Sequence, residues 1–108
     1  MSAITTHVLD TARGHPAAGV PVRLERVAGQ QAAVIGRAVT DADGRARDLG
    51  PADVEPGTYR LVFDTSAYGD GMAFFPEVAV TFAVRDQERH CHVPLLLSPF
   101  GYSTYRGS

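Results

Sequence analysis

The sequence predicts an all-β sandwich of seven to eight strands with one short helix, and three observations lead to that class. Eleven glycines and seven prolines punctuate the 108 residues at short intervals. Between these breaks lie short runs rich in Val, Thr, Tyr, Phe and Leu, the residues that suit a pleated, half-buried surface. Within most runs apolar and polar side chains alternate, which gives a strand one buried and one solvated face.

The elements follow in chain order. Ile4–Asp10 is the first strand, with Ile4, Thr6 and Val8 on one face and Thr5, His7 and Leu9 on the other. Arg13-Gly14-His15-Pro16 is a turn region, and residues 20–27 form the second strand, in which Val20, Val22 and Leu24 alternate with Pro21, Arg23 and Glu25. A third run, 32–40, meets Asp41-Ala42-Asp43-Gly44, whose Asp-Gly pair supplies the backbone conformations of a tight turn. Arg45 leaves that turn directly, where a short eighth strand fits.

After a loop with Pro51 and Pro56, residues 57–63 alternate Tyr59, Leu61 and Phe63 with Thr58, Arg60 and Val62. Residues 65–70 are the one place for a short helical turn, with Ser66 as its cap and Gly69 and Gly71 as stops. Tyr68, Phe74 and Phe75 read most simply as core or loop-packing aromatics. Glu77–Val84 alternates again, and runs over 89–97 and 102–106 close the chain.

Composition narrows the function. A content of 44% hydrophobic and 20% charged residues suffices for one domain over 1–108 and is too little for two. The formal net charge of -2 argues against nucleic acid or anionic membrane as a partner. No apolar stretch approaches the roughly 20 residues that span a bilayer, and the amino terminus lacks the basic and apolar regions of a secretory signal. A cytoplasmic protein is expected. Cys91 is the one cysteine, so neither an internal disulfide nor a cysteine-rich zinc site is available.

The candidate chemistry comes from strand parity. If 89–97 is extended, Cys91, Val93, Leu95 and Leu97 form an apolar core face, and His90, His92, Pro94 and Leu96 look away from it. His7 is turned from the core by the same test. A lone histidine on an outer face is usually a solvated side chain, and Arg45 after a turn is usually solvated too. An outward face that mixes histidines with Leu9, Pro94 and Leu96, however, suits a subunit interface or a binding surface. His90 and His92 share a face, but two ligands do not make a zinc site, so no metal or other cofactor is expected. A serine nucleophile at Ser103 or Ser108 lacks both a Gly-x-Ser-x-Gly elbow and an acid placed to orient a histidine. The chain stays strand-like to its last residues, 101–108, which implies that this end is held in place.

Together, Thr6-His-Val-Leu-Asp-Thr11, Gly19-Val-Pro-Val22, Thr40-Asp-Ala-Asp-Gly-Arg45, Phe74-Phe-Pro-Glu-Val78 and the ending from His90 to Tyr105-Arg-Gly-Ser108 resemble the 5-hydroxyisourate hydrolases, the enzymes related to transthyretin. The resemblance spans nearly the whole chain. Its first 65 residues carry a pattern common to many transthyretin-like or immunoglobulin-like β modules. His7, Arg45, His92 and the terminal Tyr-Arg-Gly-Ser separate the hydrolases from the carriers. Cys91 departs from the aromatic that relatives more often have there, which touches packing and not chemistry.

The resemblance implies a transthyretin-like sandwich and hydrolysis of 5-hydroxyisourate at a cyclic amide bond. The product would be 2-oxo-4-hydroxy-4-carboxy-5-ureidoimidazoline, on the way from urate to allantoin. It also implies a homotetramer, a dimer of dimers, with the C-terminal residues lining each site. His7, Arg45, His92 and Ser108 are then the expected catalytic residues, and Tyr105, Arg106 and Gly107 the expected substrate-binding ones. The two imidazoles suit proton transfer and the Arg45 guanidinium suits a ureide carbonyl or an oxyanion. Which histidine is the base stays open at this level. A non-catalytic carrier of a small ligand in the tetramer channel is the competing expectation, followed by a structural β module.

Overall fold

A computed structural model of the chain describes residues 2–71, 73–86 and 90–107. Its strands are β1 (Ile4–Asp10), β2 (His15–Pro16), β3 (Pro21–Ala28), β4 (Gln31–Val39), β5 (Arg45–Ala46), β6 (Gly57–Asp64), β7 (Glu77–Val84), β8 (Cys91–His92), β9 (Leu95–Ser98) and β10 (Gly101–Thr104). Seven of these have four residues or more, and β2, β5 and β8 have two each. They form two facing sheets, a sandwich of the expected class.

One sheet is a regular antiparallel ladder in the order β4-β3-β6-β7. Its inward positions are the alternating residues of the sequence: Val22, Leu24, Tyr59, Leu61, Phe63 and Val78 are all at most 3% exposed. On its other face Glu25 accepts hydrogen bonds from Arg23 Nε (2.9 Å) and from Arg60 (3.2 Å), the residue opposite it on β6. β4 is an edge strand with mostly exposed side chains.

The other sheet runs β10-β9-β1-β2, and β5 and β8 also pair with β1. β1 is therefore flanked twice on each side. β8 and β9 lie parallel to it on one side, and β5 and β2 antiparallel on the other. The expected single strand over 89–97 is split into β8 and β9, with Arg89 outside the described residues. The interruption falls at Val93-Pro94, where proline has no N–H for the ladder and Thr6 Oγ1 donates instead to the Val93 carbonyl (2.5 Å). Parity survives the break. Cys91, Val93, Leu95 and Leu97 are all buried, although Pro94, expected to face outward, is buried as well.

Other expectations are corrected by local contacts. His15 and Pro16 pair with β1 as β2, so the turn there is shorter than expected. The helical turn is one 3-10 turn, Thr65–Ala67, with Asp64 at its start. Ser66 is not its cap, since its hydroxyl bonds to the Asp64 carboxylate and not to a free N–H. Tyr68 is half-buried and donates to Asp10 Oδ2 (2.7 Å), and burial together with that carboxylate pushes its phenol up to about 12. Phe74 and Phe75 are exposed, not core. They form an aromatic cluster with Phe100 and Tyr102 beside the β10 edge. The last strand ends at Thr104, two residues short of the expected Arg106.

Candidate active site

β1 organises the site because four short strands pair with it, two on each side. Its even residues Ile4, Thr6 and Val8 are buried, and Thr5 and His7 share the opposite face. The antiparallel register sets His7 opposite Arg45 on β5, and the parallel register sets Thr5 opposite His92 on β8. Three segments that are far apart in sequence thus bring His7, Arg45 and His92 onto adjacent strands.

Arg45 is delivered by the turn before it. The Asp41 carboxylate accepts the N–H groups of Asp43 (2.9 Å) and Arg45 (3.0 Å), and the Arg45 N–H is the main influence holding that carboxyl below its ordinary value. Gly44 has φ +76°, and a Cβ there would stand 2.3 Å from the Val8 carbonyl oxygen. Only glycine lets the turn press on β1, where Val8 N donates to the Gly44 carbonyl (2.7 Å). Among the described residues no carboxylate forms an ion pair with the Arg45 guanidinium, a planar fork of donors.

The two histidines are held by different ring nitrogens. His7 Nε2 lies 2.8 Å from the Asp43 carbonyl, which can only accept, so that nitrogen carries hydrogen and Nδ1 is the one left over. His92 instead engages Thr5 Oγ1 through Nδ1 (2.8 Å), which leaves Nε2. Burial is the main cause that lowers the His92 pKa, and the charges of Arg45, His7 and His90 push the same way. The shift favours the neutral ring, the form that can accept a proton.

The C-terminal segment closes on His92. Gly107 N donates to the His92 carbonyl (2.8 Å) in an antiparallel bridge, and a Cβ on Gly107 would lie 2.6 Å from His92 Cδ2. Tyr105 and Arg106 line a cavity of about 400 Å³ with His92, Val80, Phe82 and Thr104. His7 and Arg45 are not among the residues lining it. They belong to the sheet face beside it, and His92 is common to both. Ser108 lies outside the described residues. His90 is exposed, and among the described residues no group of three metal-ligating side chains occurs.

Thr5 and the Asp43 carbonyl are not among the site groups that the sequence points to. Thr5 had a visible signal, since it shares the face of His7, but nothing local pairs it with a histidine 87 residues away. A backbone carbonyl has no sequence signature at all.

Comparison with known proteins gives the same picture. Residues 4–107 match the model of the HIUase/Transthyretin family. The chain is 48% identical to a 5-hydroxyisourate hydrolase from Caulobacter vibrioides, with all of both chains covered. Among solved structures it resembles the Klebsiella pneumoniae 5-hydroxyisourate hydrolase, with 34% identity, TM-score 0.82, and 99% of this chain and 100% of that one covered. It also resembles sea bream transthyretin in complex with thyroxine, with 31% identity, TM-score 0.87, and 97% and 94% covered. Among the described residues no helix is long and apolar enough to cross a membrane.

Proposed function

The chain belongs to the HIUase/Transthyretin family, and from that premise we propose how it acts as a hydrolase that opens the ring of 5-hydroxyisourate. The observation that carries the reading is the meeting of His7, Arg45 and His92 on three adjacent strands of one sheet. Opening a cyclic amide with water needs a base for the water, a cation or donor for the oxyanion, and a proton for the leaving nitrogen. Neutral His92 takes the water proton on Nε2 as the new C–O bond forms. Arg45 faces the oxygen that gains charge. As the C–N bond breaks, the ring nitrogen takes up a proton by way of His7 Nδ1, the nitrogen that the Asp43 contact leaves over, so one proton leaves the water and one reaches the leaving group. Tyr105, Arg106 and Gly107 bind the substrate, with Tyr105 and Arg106 shaping the pocket, and Ser108 is the fourth catalytic residue.

The likeness to a thyroxine-bound transthyretin raises the carrier as a rival. That likeness is one of backbone path, which carriers and hydrolases share, whereas the greater sequence identity is to a hydrolase. We also place the protein in the cytosol as a homotetramer, a dimer of dimers. Support for the association comes from the edges of β7 and β10, which are unpaired among the described residues, and from the exposed aromatics Phe74, Phe75, Phe100 and Tyr102.

The test is the ultraviolet decay of 5-hydroxyisourate generated in place from urate with urate oxidase, compared with and without the protein. Acceleration at catalytic protein concentrations is the expected result. Decay equal to the spontaneous rate, from folded protein, sinks the hydrolase reading.

A further inference from the structure

His92 is gripped on two sides. Its main chain and ring edge pack against Gly107, and its Nδ1 meets the Thr5 hydroxyl at 2.8 Å. Thr5 is itself immobilised. It is 7% exposed, it sits in the middle of the sheet on β1, and its carbonyl accepts the Val93 N–H (3.0 Å). A hydroxyl can donate to a bare imidazole nitrogen or accept from a protonated one, so the contact alone permits both tautomers. The chemistry separates them. With Nδ1 occupied by Thr5, Nε2 is the one ring nitrogen that can reach a reacting water, and it accepts a proton only if hydrogen is on Nδ1.

We propose that Thr5 is a positioning residue: its Oγ1 accepts Nδ1–H of His92, which fixes the ring and leaves the lone pair on Nε2. This deepens the hydrolase reading and rests on it. It also makes the two histidines opposite tautomers, because the Asp43 carbonyl requires hydrogen on Nε2 of His7. The asymmetry has a use. His92 presents a lone pair from Nε2, and His7 presents its second nitrogen, Nδ1, for the return of a proton. Free histidine favours hydrogen on Nε2, so without the Thr5 acceptor His92 spends most of its neutral time in the unreactive tautomer.

The experiment reads the tautomer and the rate separately. In protein labelled with 15N at histidine, with the His92 signals identified by their loss in His92→Gln, the neutral ring should show a protonated Nδ1 and a bare Nε2. Thr5→Val, close in size but without the hydroxyl, should shift His92 toward hydrogen on Nε2. It should lower kcat by about 10- to 100-fold with little change in KM. Thr5→Ser should restore both the signal and the rate. A wild-type His92 carrying its neutral-form hydrogen on Nε2 overturns the proposal, and so does a folded Thr5→Val with unchanged tautomer and kcat. The wild-type spectrum decides even if the valine variant does not fold. If the wild-type protein fails to accelerate 5-hydroxyisourate decay, the hydrolase reading falls while the ring signals still report on the Thr5 contact.

Discussion

The two sheets of this sandwich are built to different standards of regularity. In the β4-β3-β6-β7 sheet the strands are eight or nine residues long, and β6 keeps an unbroken antiparallel register with both neighbours. Its outward polar residues satisfy each other, with Glu25 bound by Arg23 and Arg60. In the other sheet β1 is paired piecemeal, two or three residues at a time, with four different strands. That is the sheet with the candidate site. A long continuous partner would give β1 neighbours from one stretch of sequence. Short partners let a turn deliver Arg45, a proline-ended segment deliver His92, and the chain end return to His92.

Under the proposed function the fragmented sheet carries the chemistry and the regular sheet does not, and substitutions can break or sharpen that contrast. The largest effect is expected at the histidines. His92→Asn or His7→Asn should lower the hydrolysis rate by about 100-fold or more while thermal unfolding moves little. For wild type, kcat/KM should be level through neutral pH and fall on the acid side, as His92 protonates below the ordinary imidazole value of 6.5. An acid limb at a higher pH would remove His92 as the base.

A smaller loss is expected from Gly107→Ala. The new methyl would meet His92 Cδ2 at 2.6 Å, so either the ring or the chain end must move. About a 10-fold drop in kcat is expected, because misplacing a catalytic group by a fraction of an ångström already costs much of its effect. Full activity in this variant would show that the chain end does not hold the ring.

The smallest effect belongs to the regular sheet. Glu25→Gln should cost about 1 kcal/mol of stability, measured by urea unfolding, and leave kcat unchanged. The Arg23 hydrogen bond is the main cause that lowers the Glu25 pKa, with Arg60 assisting. Its contribution is therefore present above the ordinary glutamate value of 4.5 and is lost as the pH falls below it. The variant should narrow its stability gap to wild type in acid. A fall in kcat would mean that the two sheets are not separable in function.

Legibility in the sequence follows the same division. The bounds of Ile4–Asp10 and Glu77–Val84 are legible because strand-favouring residues and the turn or loop residues that flank them are local properties of the sequence. The face carrying Cys91, Val93, Leu95 and Leu97 was also correct, since parity passes through a break that leaves the chain extended. The break itself was missed, although Pro94 marks it. For Phe74 and Phe75 the sequence leaves core and loop packing both open, and the structure shows the second, because an aromatic's burial depends on what the rest of the chain places over it. Here the described fold leaves them beside an open edge.

By itself the sequence determined which side chains share a face, where the chain must turn, and which groups able to move protons or bind an oxyanion are turned from the core. Those properties are set by the period of the strand and by the backbone freedom of a few residues, and both are local. Only the tertiary structure decided that Thr5 stands against His92, that the Asp43 carbonyl takes His7 Nε2, and that Gly107 lies on the His92 ring. Each of these is a matter of register between distant segments. Register is settled when the side chains of both sheets pack into one core, and no stretch of the chain contains it alone.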